Sequence, residues 1–295
     1  MDRRWSIALG VAAGLVGGLG TAVAQHPIDR RLAADPRASI RLHNLTGSTT
    51  IIGWDHDSVA VTGTVPNAAS FFFGGTPRGM KGGVELPLGG DTLPAHLELR
   101  VPRNARVWVK AASADLEVRG VTGGLDLYTV SGRVTVVGAA SELNAESMDG
   151  AVTVDAARWT RVKTASGAIE VRGGEDVGIG TVTGRVAFRG DAFRRARLES
   201  VSGNLRYTGA PPRGARLELE SHSGHVLLEL PADVSAAFSV TVFSGGVQNA
   251  FGSTSLRPAQ DLRGRTLDFS TADGGTDIVV RSFKGDVELA AIRGR

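Results

Sequence analysis

"TVSGRVTVVG", residues 129–138, sets a serine beside a glycine between two apolar runs, an arrangement shared by nucleophile turns and plain β-corners. The rest of the chain decides between them. The stretch returns as "SMDGAVTVDA" from 147, "TASGAIEVRG" from 164, "TVTGRVAFRG" from 181, "SVSGNLRYTG" from 200 and "SHSGHVLLEL" from 221. The turn glycines of these copies, Gly132, Gly150, Gly167, Gly184, Gly203 and Gly224, follow one another at intervals of 17 to 21 residues. Weaker copies surround Gly47, Ala114, Gly245 and Gly285. A serine that recurs in copy after copy is a structural corner, because an active site needs one special residue.

Within each copy the apolar positions alternate, as in Val134 and Val136, Ile169 and Val171, or Leu205 and Tyr207. A second alternating run precedes each corner, as in Leu125 and Leu127 or Leu217 and Leu219. Period-two alternation is the signature of strands. Each unit therefore holds two short strands and two turns. It is too small to bury a core alone, but stacked at about 4.8 Å such units share a continuous interior. The fold class predicted is all-β, a parallel β-solenoid of roughly nine or ten coils.

Two residues before each corner residue stands a hydroxyl: Thr129, Ser147, Thr164, Thr181, Ser200 and Ser221. The alternation turns these inward. A buried hydroxyl without a partner costs about 1–3 kcal/mol, so a ladder of hydroxyl hydrogen bonds is expected along one corner. The adjacent glycine is expected to supply a positive φ. On this reasoning Gly167→Val is more damaging than Ser166→Ala.

Composition agrees with a packed β protein. The 295 residues include 42% hydrophobic side chains, only 5% aromatic ones, 40 glycines and no cysteine. The interior is thus expected to be mostly Val, Leu, Ile and Ala, without disulfides. The formal net charge of +3 comes with no basic run interleaved with aromatics, so a nucleic-acid partner is not expected.

Residues 1–24 read as a signal peptide: Arg3 and Arg4, an apolar stretch, then Ala22-Val23-Ala24 as a small-residue cleavage site. The alternative is an uncleaved anchor, since Trp5 to Ala24 is about long enough to span a bilayer. No later segment is apolar enough to do so, and export to the periplasm, outer surface or medium follows. Residues 25–38 carry proline and charge and read as a flexible lead-in. A single solenoid domain is expected over 39–290, interrupted by irregular excursions at 66–95 and 252–275, with 291–295 as a tail. Phe71, Phe72 and Phe73 in the first excursion are either a cap on the open end of the rod or an exposed contact surface.

Candidate chemistry is sparse. His222 and His225 straddle one corner, but a metal site needs three or four ligands. Asp55-His56-Asp57 lacks the ligand spacing of a calcium loop. Glu199 and Glu220 are adjacent carboxylates in an outward column that reads Tyr128, Glu146, Lys163, Gly180, Glu199, Glu220, Thr241. Arg197 and Glu218 in the neighbouring column make this look like a salt-linked face. No catalytic, cofactor or metal residue is assigned.

Three segments, "GWDHDSVAVTG" from Gly53, "LELRVPRNARVWVKAASADLEVRGVTGGLDLYTVSGRVTV" from Leu97 and "GGTDIVVRSFKGDVEL" from Gly274, resemble the bacterial domain-of-unknown-function family labelled "putative adhesin". The resemblance spans roughly residues 38–290. It implies an exported or envelope-associated β-solenoid and brings no catalytic residues. The Ala114 corner and the Phe-rich excursion depart from the plain pattern. The expected function is non-enzymatic binding or scaffolding in the cell envelope, with an envelope protein or glycan as partner. A carbohydrate-active enzyme on the same scaffold and a periplasmic envelope-stress sensor or scaffold are the alternatives.

Overall fold

A computed structural model describes residues 24–87, 93–155, 157–252, 255–259 and 264–292. The predicted leader lies outside the described residues apart from Ala24. Among the described residues the secondary structure is all strand, arranged as one 14-stranded and one 13-stranded sheet. In each regular coil the strand before the Ser-Gly corner enters the first sheet, here the leading sheet, and the strand after it enters the second, the trailing sheet. Gly124–Thr129 and Val134–Val137 form one such coil, and Glu142–Ser147 and Val152–Asp155 the next. Successive coils pair in parallel without register shift: Leu125 opposes Leu143, and Val134 opposes Val152. The predicted parallel β-solenoid is the fold.

The core follows from the alternation. Leu127, Ala145, Val162, Ile179, Leu198 and Leu219 stack from one sheet against Val136, Val154, Val171, Phe188, Tyr207 and Leu228 of the other, and all are buried. An aromatic cluster interrupts the aliphatic filling of the regular coils, and a second, Phe238 with Phe251 and Phe269, lies near the end of the stack. Phe188, Phe193 and Tyr207 have ring centroids 5.6–5.9 Å apart. The Tyr207 hydroxyl donates to Gly190 O at 2.7 Å, which satisfies its polar end inside the core. Burial pushes that phenol above the ordinary tyrosine range.

The ends of the rod depart from the order of the chain. The coil made by Asp277–Ser282 and Val287–Ile292 does not close the stack. Its strands lie between Arg216–Ser221 and Ala236–Val242 in the leading sheet, and between Val226–Pro231 and Val247–Asn249 in the trailing sheet. The opposite end repeats the device. The coil of Ser39–Asn44 and Gly47–Trp54 sits inside the later coil of Gly79–Glu85 and Ala95–Pro102. The last and first coils of the sequence are thus interior ones.

Antiparallel strands seal both ends. The segment read as a flexible lead-in is a strand, Gln25–Ala33, paired with Ser58–Pro66 over its whole length. Pro27, Arg30 and Arg31 on this outer strand are the residues that discourage further pairing at a sheet edge. The first excursion is ordered into the hairpin of Ser70–Thr76 with Gly79–Glu85, which caps the leading sheet. Phe71 and Phe73 pack against the core, while Phe72 is exposed beside Lys81. The second excursion contributes Arg265–Thr271, antiparallel to Ala236–Val242.

Candidate functional site

The Ser-Gly corner is built by stacking. The ladder residues Thr129, Ser147, Thr164, Thr181, Ser200 and Ser221 are all buried, and Ser282 of the intercalated coil joins them. Thr164 Oγ1 donates to Gly167 O at 2.7 Å, Ser221 Oγ to Gly224 O at 2.8 Å and Ser282 Oγ to Gly285 O at 2.5 Å. Thr129 and Thr181 instead accept from the amides of Gly132 and Gly184. Ser200 Oγ is buried without a partner.

The glycines are explained differently from the sequence expectation. Gly132, Gly150, Gly167, Gly184, Gly203 and Gly224 do not adopt a left-handed φ. Each instead lies against the backbone carbonyl of the corner before it. A Cβ on Gly167 would sit 2.8 Å from the carbonyl carbon of Gly150 and closer still to its oxygen. Close approach of two backbones, not φ, excludes the side chain. The repeated hydroxyl at the Ser131 position caps the neighbouring coil: Ser202 donates to Val182 O at 3.3 Å, Ser223 to Val201 O at 3.2 Å and Ser244 to Phe283 O at 3.2 Å.

Between ladder and serine, each corner carries one further outward residue, exposed in most coils and half-buried at Ala112, Ala165 and Phe243. In stack order this column reads Leu45, Ala112, Val130, Met148, Ala165, Val182, Val201, His222, Phe283, Phe243. Corner hydrogen bonds hold it straight, among them Met148 N to Val130 O at 3.1 Å and Ala165 N to Met148 O at 2.9 Å. Of the nine large hydrophobics exposed among the described residues, six belong to this column, from Leu45 and Val130 to Met148, Val182, Val201 and Phe283. His222 stacks on Phe283 at 4.9 Å and Phe243 meets Phe283 at the same distance, so the ridge ends in an aromatic cluster.

The outer face of the leading sheet adjoins the ridge. Its first column runs Tyr128, Glu146, Lys163, Gly180, Glu199, Glu220, Arg281, Thr241. Arg281 stands between Glu220 and Thr241 because the last coil intercalates there. A groove of about 680 Å³ lies between this column and the ridge, floored by Gly180 and Ser200 and walled by Val201, Phe243 and Phe283. A second, of about 570 Å³, continues across Gly178, Arg161 and Asn144. Glu199 and Glu220 do line the first groove, but Arg197 binds both: it pairs with Glu199, reaches Glu220 at 3.4 Å and approaches Glu218 at 3.6 Å. Hydrogen bonding from Arg216, at 2.5 Å, holds the Glu218 carboxyl below the usual carboxylate range.

The other candidates are not brought together. His222 lies on the ridge, while His225 faces Glu288 of the trailing sheet at 3.7 Å. Asp55 pairs with Arg103 at 2.7 Å, and that hydrogen bond lowers its pKa; His56 packs edge-on against Trp54. Among the described residues no group of three or more His, Asp and Glu side chains is placed to hold a metal. Sequence reasoning missed the ridge. Its signal was present, an apolar or aromatic residue after the ladder hydroxyl in almost every copy, but it passed for part of the turn.

Fold and corner define a repeat solenoid with one apolar edge and one grooved, charged face. The chain belongs to the Toastrack DUF4097 family, which it matches over residues 54–290. It is similar to a solved "putative adhesin" from Bacteroides fragilis, with 7% identity over 90% of this chain and 98% of that one, and a TM-score of 0.43. A "putative adhesin" from Parabacteroides distasonis is 10% identical over 90% and 97% of the two chains, with a TM-score of 0.39. A "putative cell adhesion protein" from Clostridium sporogenes is 9% identical over 90% and 100%, with a TM-score of 0.23. No curated protein matches the chain.

Proposed function

We propose that this protein is a non-enzymatic solenoid of the bacterial cell envelope that offers its ridge and adjoining grooved face as a binding surface, exported by means of the leader at residues 1–24. The observation that carries the reading is the ridge, where six exposed large hydrophobics fall in one column. Contiguous exposed apolar surface marks an interaction site. Arg197 supports binding over acid–base chemistry, because it ties Glu199 and Glu220 into one ion-pair network. The test is a photo-crosslinking residue at Met148 or Val201 in intact cells, with one at Arg119 on the trailing face as control. Specific capture from the ridge and none from the control is expected. No capture from either ridge position overturns the proposal, as does cleavage of an envelope polysaccharide that vanishes in Glu199→Gln.

A further inference from the structure

The strand Asp176–Thr181 carries glycine at two successive outward positions, Gly178 and Gly180. A Cβ on either would meet nothing nearer than 3.9 Å, and neither has a left-handed φ. Nothing inside the chain requires them. A glycine within a strand weakens it and marks a place where another backbone or a ligand approaches closely. The two glycines make a hollow in the outer face. On the next strand Arg197 and Glu199 stand out as a projection, each about half exposed. Hollow and projection are thus one coil apart on the same face.

From this we infer that two copies of the chain pair face to face and antiparallel through the leading sheet, about a two-fold axis that runs along the strands between Asp176–Thr181 and Arg195–Ser200. The inference rests on the reading of this face as a binding surface and names its occupant. The operation sets each copy's Arg197 and Glu199 over the other's Gly178 and Gly180. Both copies repeat at about 4.8 Å, so every other coil falls into step.

The charges then complement one another. In the first column Glu146 faces the second copy's Arg281 and Lys163 faces its Glu220, each twice by symmetry, while neutral Tyr128 faces Thr241. One column further in, Arg161 faces Glu218. In the third, Asp176 faces Arg195 and Trp159 faces Arg216. The like-charged juxtaposition in these columns is Glu142 with Asp277; these carboxylates, like Glu218 and Glu220, already pair with arginines of their own copy, so the contacts between copies extend existing networks. Along the ridge the aliphatic half meets the aromatic half: Val182 faces Val201, Ala165 faces His222, Met148 faces Phe283 and Val130 faces Phe243. Eight coils by a six-residue strand give a footprint of about 38 by 20 Å, roughly 760 Å² per copy, close to the ~800 Å² of a stable interface.

Sedimentation equilibrium of the purified protein tests the pairing. A dimer is expected. Glu146→Arg and Arg281→Glu, five coils apart in the stack, each weaken it at least about tenfold by setting like charges opposite each other, and the double variant restores it. Gly180→Trp also yields a monomer that still unfolds cooperatively, with a midpoint equal to that of the monomeric Glu146→Arg variant, because the hollow is open to a side chain. A monomer at the highest soluble concentration, single variants with unchanged dissociation, or a double variant without rescue overturns the pairing. A photo-crosslinker at position 180 separates this failure from failure of the binding reading. Capture of a foreign envelope component by a monomer leaves a binding face with another occupant; capture of nothing from 180, 148 or 201 removes both.

Discussion

Gly167→Ala adds one methyl group at a corner and tests whether stacking, not backbone dihedral, dictates the repeat. The new Cβ would lie 2.8 Å from the carbonyl carbon of Gly150 and 3.1 Å from that of Asp149. Relief requires the two coils to part by roughly 1 Å, a fifth of their ~4.8 Å spacing. That opening breaks the corner hydrogen bonds from Ala165 N and Ser166 N to Met148 O, now 2.9 and 2.8 Å. Losing two such bonds costs about 1 kcal/mol each, and overpacking a filled site costs about 1–3 kcal/mol. Reduced freedom of the unfolded chain returns about 0.4–1 kcal/mol. The net loss is about 2–4.6 kcal/mol, or about 4–18 °C in melting temperature at about 2–4 °C per kcal/mol for a domain of this size. Gly74 is the control. It lies in a strand with nothing within 4 Å of an added Cβ, so Gly74→Ala should raise the midpoint by about 1–4 °C. Ser166→Ala, at an exposed position, should move it by less than about 2 °C. Thermal melts followed by circular dichroism measure all three. A Gly167→Ala midpoint within a degree of the parent, or equal to that of Gly74→Ala, would refute the stacking argument.

Removing residues 272–295 takes away the strands seated between two other coils on both sheets. The expected result is loss of cooperative unfolding, and a truncated chain that melts as one sharp transition would contradict the intercalated order. Ser200→Ala deletes a buried hydroxyl that has no partner and should be neutral or stabilising by about 1 kcal/mol, whereas Ser282→Ala loses its bond to Gly285 O and should cost about 1 kcal/mol. Urea midpoints rank the two, and the reverse order would refute the ladder account. For Glu218 the folded pKa lies below the unfolded one because of the Arg216 hydrogen bond. The unfolded chain therefore binds more protons between the two values, and stability rises with pH there. The contribution is complete above the ordinary value of about 4.3 and is lost as pH falls through the folded value. Glu218→Gln should flatten that acid limb of the melting curve; parallel limbs would exclude the effect.

Most of the architecture was legible because the repeat acts locally. Alternation at Val134 and Val136 or Leu217 and Leu219 requires a strand whatever its neighbour is, and the hydroxyls at 129 to 221 require burial beside a corner. The order of the coils was not legible, for a physical reason. All coils share one register, so each can stack on any other. Quality of fit decides. "SFKGDVEL" brings Ser282 to the ladder and a six-residue second strand, while the Gly245 copy brings Val242 and the three-residue strand Val247–Asn249. The better copy is buried between neighbours and the poorer one lies outside it, although the chain reaches the poorer one first. The strand at Gln25–Ala33 was hidden by the same residues that suit it to an edge, since Pro27, Arg30 and Arg31 read as a loop when nothing indicates a sheet to end.

The candidate site was hard to read because a repeat explains most of its own residues. Inward positions are apolar in every coil because the interior demands it. Outward positions on the leading face vary from Tyr128 to Glu146 to Lys163, as expected where folding asks only for solubility. The ridge obeys neither rule: it points outward, and yet it stays apolar or aromatic from Leu45 to Phe243. Core formation does not account for it and solvent opposes it, which is why the proposed binding function rests on this column. Gly178 and Gly180 invert the case, being outward positions with no side chain where a Cβ has room. An apolar edge that folding does not need, beside a hollow that folding does not need, is what the proposed pairing through the coil of Asp176–Thr181 accounts for.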